Sequence, residues 1–437
     1  MAPMVAASDY PFRYLLRKYD VDLTFTQMLH CKNYINDETF RLSHLDLWEA
    51  GAKYPDLLRS QLSCLGDFPP PMGPQEGDCA SPLIVQLAGN QPDLLVQQAL
   101  MILEHTDGKV TGFDLNLGCP QQIAKKKGSY GAFLMERDLD LVCNILSSLR
   151  DSVPETTTVS AKIRLPTDDE TLCYRIPKLV NTGINFLTIH GRTLVENKTK
   201  VGAAHVDRIK LAIDKAHEVN PNLPVIANGG METYEDIQEV MWKTGASAAM
   251  SSEALLETPN VFSPKSSGLS PRERLTQQIS FATEYLDICK NVAPPLPGVL
   301  GNGGSFKIVR GHLFKFLYRY LNEHTDLRDR LGGDQKLQTL GEASNLVDEL
   351  AERCLKLSDD ELLRCASSAP ESSWYRRHRK GNRRVHQKEV RVDSSLVPSG
   401  SEEETIESRK QEIRDRISQM KERKAAREAS AANRFVA

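Results

Sequence analysis

The sequence lacks several features that mark membrane, secreted and metal-binding proteins. No run in its 437 residues approaches the roughly 20 consecutive apolar residues of a membrane helix. The N-terminus, MAPMVAASDYPFR, has no charged flank followed by an apolar stretch and a cleavage site. The nine cysteines are odd in number and show no CxxC spacing, which argues against a disulfide framework and a zinc site. We therefore expect a cytoplasmic protein with reduced thiols, no metal and no membrane contact.

Positive charge is scarce over most of the chain and is concentrated near its end. Residues 366–437 contain 17 Lys and Arg against 11 Asp and Glu, whereas residues 1–365 contain 38 against 47. The basic run at 376–384 suits a phosphate backbone, and it equally suits a nuclear localisation signal or plain solvated disorder. We expect residues 366–437 to form a basic, largely disordered tail with a solvated helix near 402–430.

The apolar residues follow a repeated pattern between residues 1 and 265. With 40% hydrophobic and 26% charged residues, the chain has enough apolar side chains for more than one core. Short β-branched or aliphatic runs occur at 2–5, 21–29, 83–88, 112–117, 158–164, 185–190, 223–228 and 246–251. The segments between them are long enough for helices or loops, which is the spacing of βα units. The pattern predicts an α/β fold, a (β/α)8 TIM barrel, over residues 1–265.

Most of these runs close with a polar or small residue. The closing residues are Gln86, Asn116, Lys162, His190, Asn228 and Ser251. In a parallel barrel the active site lies at the C-terminal ends of the strands, so a ring of polar groups there indicates chemistry. Single strands often end on a polar residue before a turn, but that alternative does not predict so uniform a set.

Segments between the runs differ in character. Residues 91–107 have apolar residues at helical spacing, and 232–245 does too, with Gly245 as a stop signal. Residues 51–82 contain six prolines and predict an irregular excursion from the barrel.

After a linker, residues 271–365 show helical periodicity without a strand signal, and we expect a smaller all-α helical domain there. Its segment 305–322 is amphipathic, with His312, Lys315 and Arg319 on a face separate from the apolar one. A basic helix face beside an active site suits a polyanionic substrate. An ordinary solvated face is the alternative.

The stretch DLNLGCPQQIAKKKGSYGAFL at 114–134 is the most informative part of the sequence. A strand ends at Asn116, and Pro120 prevents it from continuing beyond Cys119. A thiol at the barrel rim could be a nucleophile, a metal ligand, a proton donor or simply a small buried side chain. An unperturbed thiol has a pKa of about 8.5 and is mostly protonated at neutral pH, so proton donation needs the least special environment.

Two neighbouring strands direct cations at the same region. The segments AKIR at 161–164 and HGRT at 190–193 each alternate basic with apolar or small residues. Because unpaired buried cations are costly, the space between them should hold an anionic or electron-rich group. The alternative is pairing with nearby acids, for which Asp114 and Glu253 are available.

The last two runs are followed by turns that suit a phosphate. Asn228-Gly229-Gly230 is expected to turn from the seventh run into a helix, and Ser251-Ser252 to do the same after the eighth. Barrels often bind phosphate on exposed backbone N–H groups at this place.

These segments together resemble the tRNA-dihydrouridine synthase family of FMN-dependent reductases. The matching signatures are APM…DYPFR, TQML, DLNLGCPQ, AKIR, LTIHGRT and PVIANGG. The resemblance covers about residues 2–262, and 309–332 is similar to the family's helical tRNA-binding domain. Within the family, the GCPQ…AKKKGSYGAFL and RGHLFK segments are most similar to the eukaryotic branch that modifies positions 16 and 17 of the D-loop.

The resemblance implies a flavin site and assigns residues to it. The family's flavin contacts correspond to Pro3, Met4, Val5, Gln86, Lys162, His190, Asn228, Gly229, Gly230, Ser252 and Glu253. Cys119 corresponds to the family's proton donor, and Asn116 and Arg192 correspond to residues that face the uracil. Many family members have Gly-Arg where this chain has Ser252-Glu253, so here we expect backbone amides to hold the flavin phosphate.

The implied activity is reduction of the C5–C6 double bond of D-loop uridines to 5,6-dihydrouridine. FMN would take electrons from NADPH or NADH, Lys162 would stabilise negative charge on the reduced flavin, and Cys119 would protonate C5. The target base must leave its stack, which requires a charged platform for the tRNA. Candidates are the helix at 305–322 in the helical tRNA-binding domain (271–365), residues 125–127 and the basic tail. We expect the tail to add affinity and not site choice. We expect a monomer with tRNA as partner.

Two other functions fit part of the sequence. An FMN-barrel oxidoreductase for a small molecule would share the phosphate site and the lysine, but it would not need HGRT, the Gly-Cys-Pro loop or the helical domain. A non-catalytic RNA-binding relative would keep the barrel without turnover, and the flavin content of the purified protein would distinguish it.

Overall fold

The computed structural model describes residues 1–43, 82–126, 129–197, 200–292, 304–333, 337–365 and 373. The expected proline-rich excursion at 51–82 and the expected tail at 366–437, with its helix near 402–430, lie outside the described residues except for Pro82 and Ser373. None of the helices in this part of the chain combines the length and the apolar character needed to cross a bilayer.

The strands form one parallel sheet. They are β1 (Thr24–Phe25), β2 (Leu29–His30), β3 (Leu83–Ala88), β4 (Gly112–Leu117), β5 (Thr158–Leu165), β6 (Phe186–Thr193), β7 (Val225–Asn228) and β8 (Ala248–Met250). The order is β1, β3, β4, β5, β6, β7, β8, and β2 also pairs with β3. Every residue of β3 and β4 is buried, as expected when helices cover a parallel sheet. The α/β barrel architecture is thereby confirmed.

The first two predicted strands differ from the prediction. Residues 2–5 are not a strand, but the backbone nitrogen of Met1 donates to Leu23 O (2.7 Å) and that of Ala2 to Ser251 O (2.8 Å). These two bonds connect the end of β8 with the start of β1 and close the ring. The run 21–29 is split into β1 and β2, because the N–H of Gln86 bonds to the hydroxyl of Thr26 (3.1 Å) where a regular ladder would use a backbone carbonyl.

Helices fill the connections between the strands. In the barrel they are α1 (Tyr10–Arg17), α2 (Cys31–Asn36), α3 (Glu38–Ser43), α4 (Pro92–His105), α5 (Gln122–Lys126), α6 (Ala132–Arg137), α7 (Leu139–Ser152), α8 (Asp169–Val180), α9 (Val206–Val219), α10 (Tyr234–Thr244) and α11 (Glu253–Glu257). The predicted helices 91–107 and 232–245 are thus confirmed as α4 and α10. A capping box of Thr233 and Asp236 starts α10, and Gly245 ends it at φ +68°.

The remaining described helices follow the barrel. They are α12 (Pro271–Asn291), α13 (Gly304–Phe316), α14 (Tyr318–Leu321), α15 (Thr325–Gly332), α16 (Leu340–Leu355) and α17 (Asp359–Cys365). Ser270 and Glu273 form a capping box that starts α12, with Pro271 as its first residue. The predicted helix 305–322 is interrupted at Leu317, which separates α13 from α14.

A buried carboxylate joins these helices to the barrel. Asp9 stands at the N-cap position of α1, yet its side chain does not cap that helix. It accepts a hydrogen bond from His312 Nε2 in α13 (2.6 Å) and one from the Tyr285 hydroxyl in α12 (3.0 Å). Burial would raise the pKa of Asp9, but His312 and the hydrogen bonds hold it below its usual value. His312 Nδ1 is buried without a partner among the described residues, which fits a neutral ring whose pKa is lowered by burial.

The expectation of an exposed basic face on this segment is wrong. His312 is fully buried against Asp9, and burial also lowers the pKa of Lys315. Arg319 is 9% exposed and pairs with Glu257 of the barrel (2.9 Å). Helical spacing identified a shared face, but it could not show that carboxylates of the barrel cover it.

We expect His312→Leu to lower the free energy of unfolding of the full chain by about 3 kcal/mol, because it leaves the Asp9 carboxylate buried with one hydrogen-bond donor fewer. Urea unfolding at pH 7.5 measures the loss. Lys18→Gln is the control, since Lys18 forms a surface ion pair with Glu284 across the same junction and its removal should cost less than about 1 kcal/mol. Equal losses of stability in the two variants would contradict the role of the buried Asp9–His312 pair in joining these helices to the barrel.

Candidate active site

A cavity of about 480 Å³ opens at the C-terminal ends of the strands. All fourteen residues singled out in the sequence line it, namely Pro3, Met4, Val5, Gln86, Asn116, Cys119, Lys162, His190, Arg192, Asn228, Gly229, Gly230, Ser252 and Glu253. The structure therefore brings these residues into one place, while their individual roles stay predictions. No group of three or more His, Cys, Asp or Glu within the described ranges could hold a metal ion.

Cys119 lies on the cavity wall just after β4, and its loop is held at three points. Its N–H donates to Asn116 Oδ1 (3.0 Å), and its carbonyl accepts from the N–H of Ala132 (3.2 Å). The preceding carbonyl of Gly118 accepts from Arg164 Nε (2.8 Å). Burial raises the pKa of the thiol above its usual value, so the thiol is protonated at neutral pH. A protonated thiol can donate a proton but is a weak nucleophile.

Lys162 supplies a positive charge to the cavity. Its Nζ donates to Asn228 Oδ1 (2.9 Å), and Asn228 is itself fixed by donating to Met250 O (2.8 Å). Burial and the nearby Arg164 lower the pKa of Lys162 to about 8. The expected alternative of an ion pair with Asp114 is absent within the described part of the chain, where no carboxylate lies within 4.0 Å of this amine.

Arg192 and His190 form a second polar group on β6. Arg192 Nη1 lies 3.2 Å from His190 Nε2, and burial together with the surrounding cations holds the pKa of His190 well below 6.5. His190 is therefore a neutral acceptor. Arg192 Nε donates to Gly202 O (2.9 Å), but its Nη2 is buried without a hydrogen-bond partner among the described residues. Glu253 influences Arg192 at longer range without forming an ion pair in this part of the chain.

A bulge in the pairing of β5 with β6 lies beside Arg192. The register of β5 against β6 shifts after Arg164, so that Leu165 lies opposite Thr193. Bulges of this kind redirect side chains next to active sites.

The two glycines after β7 form a cradle. Gly229 has φ +104°, and a Cβ there would lie 2.7 Å from His190 Cδ2. Gly230 has φ +80°, and a Cβ would lie 3.0 Å from Ala204 Cβ. A side chain at Gly229 would therefore press against the His190 ring, and one at Gly230 against Ala204, in a backbone conformation that favours glycine. The unpartnered Arg192 nitrogen and the Lys162 amine leave the same space suited to an anionic or electron-rich planar group.

The helix expected after Gly230 begins two residues later than its predicted start at residue 232. Helix α10 begins only at Tyr234, and the hydroxyl of Thr233 caps its Asp236 N–H (3.1 Å). Helix α11 after β8 has only five residues. This end of the cavity is therefore lined by backbone groups of the two turns and not by the N-terminus of a long helix.

Two features of the site were not identified from the sequence. Glu196 in the loop after β6 also lines the cavity and accepts from the N–H of Thr193 (2.8 Å) and from His205 Nε2 (2.9 Å), which holds that loop in place. Asp114, considered only as a counter-ion, instead accepts from two neutral side chains within the barrel. The signal for Asp114 was its spacing two residues before Asn116, which places both on the same face of β4.

Comparison with known proteins matches this chain to one family. Residues 1–353 match the family model described as "Dihydrouridine synthase (Dus)". The chain is 33% identical over 378 residues to a Rattus norvegicus protein named tRNA-dihydrouridine(16/17) synthase NAD(P)(+)-like, covering 86% of this chain and 72% of that protein. It is 32% identical over 337 residues to the Saccharomyces cerevisiae tRNA-dihydrouridine(16/17) synthase NAD(P)(+), covering 76% and 68%. It is also 32% identical over 263 residues to a Homo sapiens tRNA-dihydrouridine(20a/20b) synthase NAD(P)+-like protein, covering 60% and 69%.

We expect Gly131→Ala to change the exposure of Cys119, because Gly131 has φ +64° and a Cβ there would lie 3.0 Å from the Cβ and carbonyl oxygen of Cys119. The measurement is the rate at which iodoacetamide alkylates Cys119, followed by peptide mass spectrometry. Gly245→Ala is the control, since Gly245 has φ +68° with nothing within 4 Å. Both variants should lose about 1 kcal/mol of stability from the positive φ. A normal alkylation rate in Gly131→Ala would contradict the contact.

Proposed function

The chain belongs to the dihydrouridine synthase family, and from this premise we propose that it reduces uridines at positions 16 and 17 of the tRNA D-loop to 5,6-dihydrouridine. The observation that carries the proposal is a protonated thiol, Cys119, on the wall of a cavity that also holds Lys162 and Arg192. The named relatives that act on tRNA positions 16 and 17 cover more than two thirds of this chain.

FMN is the cofactor that we propose for the cavity, with NADPH or NADH as the reductant. When bound, the flavin would carry two electrons from the nicotinamide to the uracil ring. The cradle at Gly229 and Gly230, the amide of Gln86 and the cation of Lys162 are the groups of this chain that would hold it. A fixed cation beside the ring stabilises negative charge that develops there, without reorganising when the reaction occurs.

Cys119 is the proposed proton donor to C5 of the uracil. Burial keeps its proton in place at neutral pH, and the three bonds to its loop keep its position constant. Arg192 and Asn116 are proposed to orient the uracil. The unpartnered Nη2 of Arg192 suits a carbonyl oxygen of the base, since a buried donor without an acceptor is costly.

The tRNA must be held while one base is turned out of its stack. His312 and Arg319 are not available for this, because both are committed to the junction with the barrel. Exposed lysines near the cavity are better candidates. Lys125 follows the Cys119 loop, and Lys200 lies between Asn197 and Val201, which line the cavity. Lysines here would contact phosphates without reading sequence.

The test is to incubate unmodified tRNA with the full chain, FMN and NADPH and to map the nucleosides by mass spectrometry. We expect a gain of about 2 Da at positions 16 and 17, since reduction adds two hydrogens. Cys119→Ala should bind flavin and tRNA normally but form product at least about 100-fold more slowly, the usual contribution of a general acid. Full activity of Cys119→Ala would contradict its role as proton donor. A mass gain at other tRNA positions would contradict the assignment to positions 16 and 17. If the unmodified protein produces no mass gain at all, the proposed reaction is wrong.

The pKa of Lys162 predicts a pH dependence of flavin binding. Because this pKa is lowered to about 8, the amine loses its charge as the pH rises through 8, and affinity of the flavin-free protein for FMN should fall between pH 7 and 9. Quenching of flavin fluorescence measures it. Lys162→Met should bind more weakly and without this pH dependence, whereas Lys210→Met, on the surface of α9 and paired with Asp214, should retain it. A flat profile in the unmodified protein would count against a role for the Lys162 charge.

A further inference from the structure

A continuous chain of side-chain hydrogen bonds crosses the barrel interior and ends at the Cys119 loop. Ser160 Oγ on β5 donates to Asp114 Oδ1 on β4 (2.8 Å), and Gln86 Nε2 on β3 donates to Asp114 Oδ2 (2.8 Å). Asn116 Nδ2 then donates to Gln86 Oε1 (2.7 Å). Asn116 Oδ1 finally accepts from the N–H of Cys119 (3.0 Å). We call this chain the amide relay.

The direction of the amide relay is fixed at one end by the backbone. The N–H of Cys119 can only donate, so the side chain of Asn116 must turn its oxygen toward it. Its NH₂ group then faces Gln86, which must present its own oxygen, and the NH₂ of Gln86 is left facing residue 114. Only an acceptor at residue 114 completes the series.

Asp114 provides that acceptor and has no exposed surface. It does not line the cavity, whereas Gln86 and Asn116 both do. Burial raises the pKa of Asp114 to about 6, and the two neutral donors oppose that rise. A buried carboxylate of this kind is costly to retain, so its place in the barrel calls for a reason beyond packing.

The geometry points to Asp114 as a positioning residue for Cys119. It fixes the amide of Gln86, which fixes that of Asn116, which in turn fixes the loop that carries the thiol. The assignment deepens the proposed function, because it concerns the same proton transfer. A shift of about 1 Å in the thiol is enough to slow such a transfer by roughly 100-fold.

Relocating the carboxylate tests the relay. In Asp114→Leu, the Gln86 nitrogen loses the acceptor that lies 2.8 Å away, Asp114 Oδ2, so the amide of Gln86 is left without its partner. In the double variant Gln86→Glu/Asp114→Asn the charge moves to residue 86. The amide introduced at position 114 then donates to the carboxylate introduced at position 86, and its oxygen accepts from Ser160. Every bond of the relay thus has a donor and an acceptor again.

We expect Asp114→Leu to reduce kcat by at least about 30-fold and to raise the rate of Cys119 alkylation by iodoacetamide about threefold or more, as the loop loosens. The double variant should recover at least about tenfold in kcat and return alkylation to near the original rate. Measurements use the full chain at pH 8, with kcat determined at saturating FMN and alkylation determined with and without FMN. Gln86→Glu alone should lose less than Asp114→Leu, because two facing buried carboxylates retain a shared proton that restores a donor between them.

The outcomes separate the relay from the proposed function. If Asp114→Leu and the double variant lose the same activity, or if alkylation of Cys119 is unchanged in all variants, the positioning role of Asp114 is wrong. If the unmodified chain reduces no tRNA, the proposed function fails, but the alkylation rates still show whether the relay holds the loop. Melting temperatures identify any variant that is merely unfolded, and the double variant then carries the comparison.

Discussion

The cost of burying a carboxylate organises this molecule, because each buried acid must be surrounded by donors from other parts of the chain. Asp9 accepts hydrogen bonds from His312 and Tyr285, which lie about three hundred residues further along the chain. Glu257 accepts hydrogen bonds from Arg319 and from the hydroxyl of Ser373. The two acids together fix the position of the later helices on the barrel. Hydrophobic packing supplies most of the free energy there, but only such directional bonds select one arrangement.

The cavity differs from the buried acids in that its cations outnumber the acceptors that lie close to them. Arg164 lowers the pKa of Lys162, and both cations help to keep His190 neutral. Burial is the shared cause of the neutral imidazole and the protonated thiol of Cys119, because it lowers the pKa of His190 and raises that of the thiol. The cations add to the effect on His190, whereas Arg164 opposes the effect on Cys119. A bound anion or an electron-rich ring relieves the repulsion among the cations, so affinity and chemistry depend on the same groups.

Much of the architecture was predictable because the spacing of apolar residues along the sequence reflects which side chains are buried. The alternation of strand and helix segments identified the barrel, and Gly245 identified the end of α10. The polar strand ends identified residues that line one cavity. The burial of His312 and Arg319 was not predictable, because their partners lie in distant segments and helical spacing does not reveal what a face contacts. Helix α10 begins at Tyr234 and not at the predicted residue 232, because the Thr233 capping box sets its start.

Asp9 lies only four residues after Val5, and Met4 is tied to the same turn through the hydroxyl of Ser8 (2.8 Å). One short segment therefore lines the cavity and anchors the later helices. Thermodynamic reciprocity follows from this arrangement: whatever free energy the docked helices contribute to the bound shape of the segment is returned to their docking when a ligand occupies the cavity. Any coupling through this segment acts equally in both directions, on occupancy of the cavity and on docking of the helices.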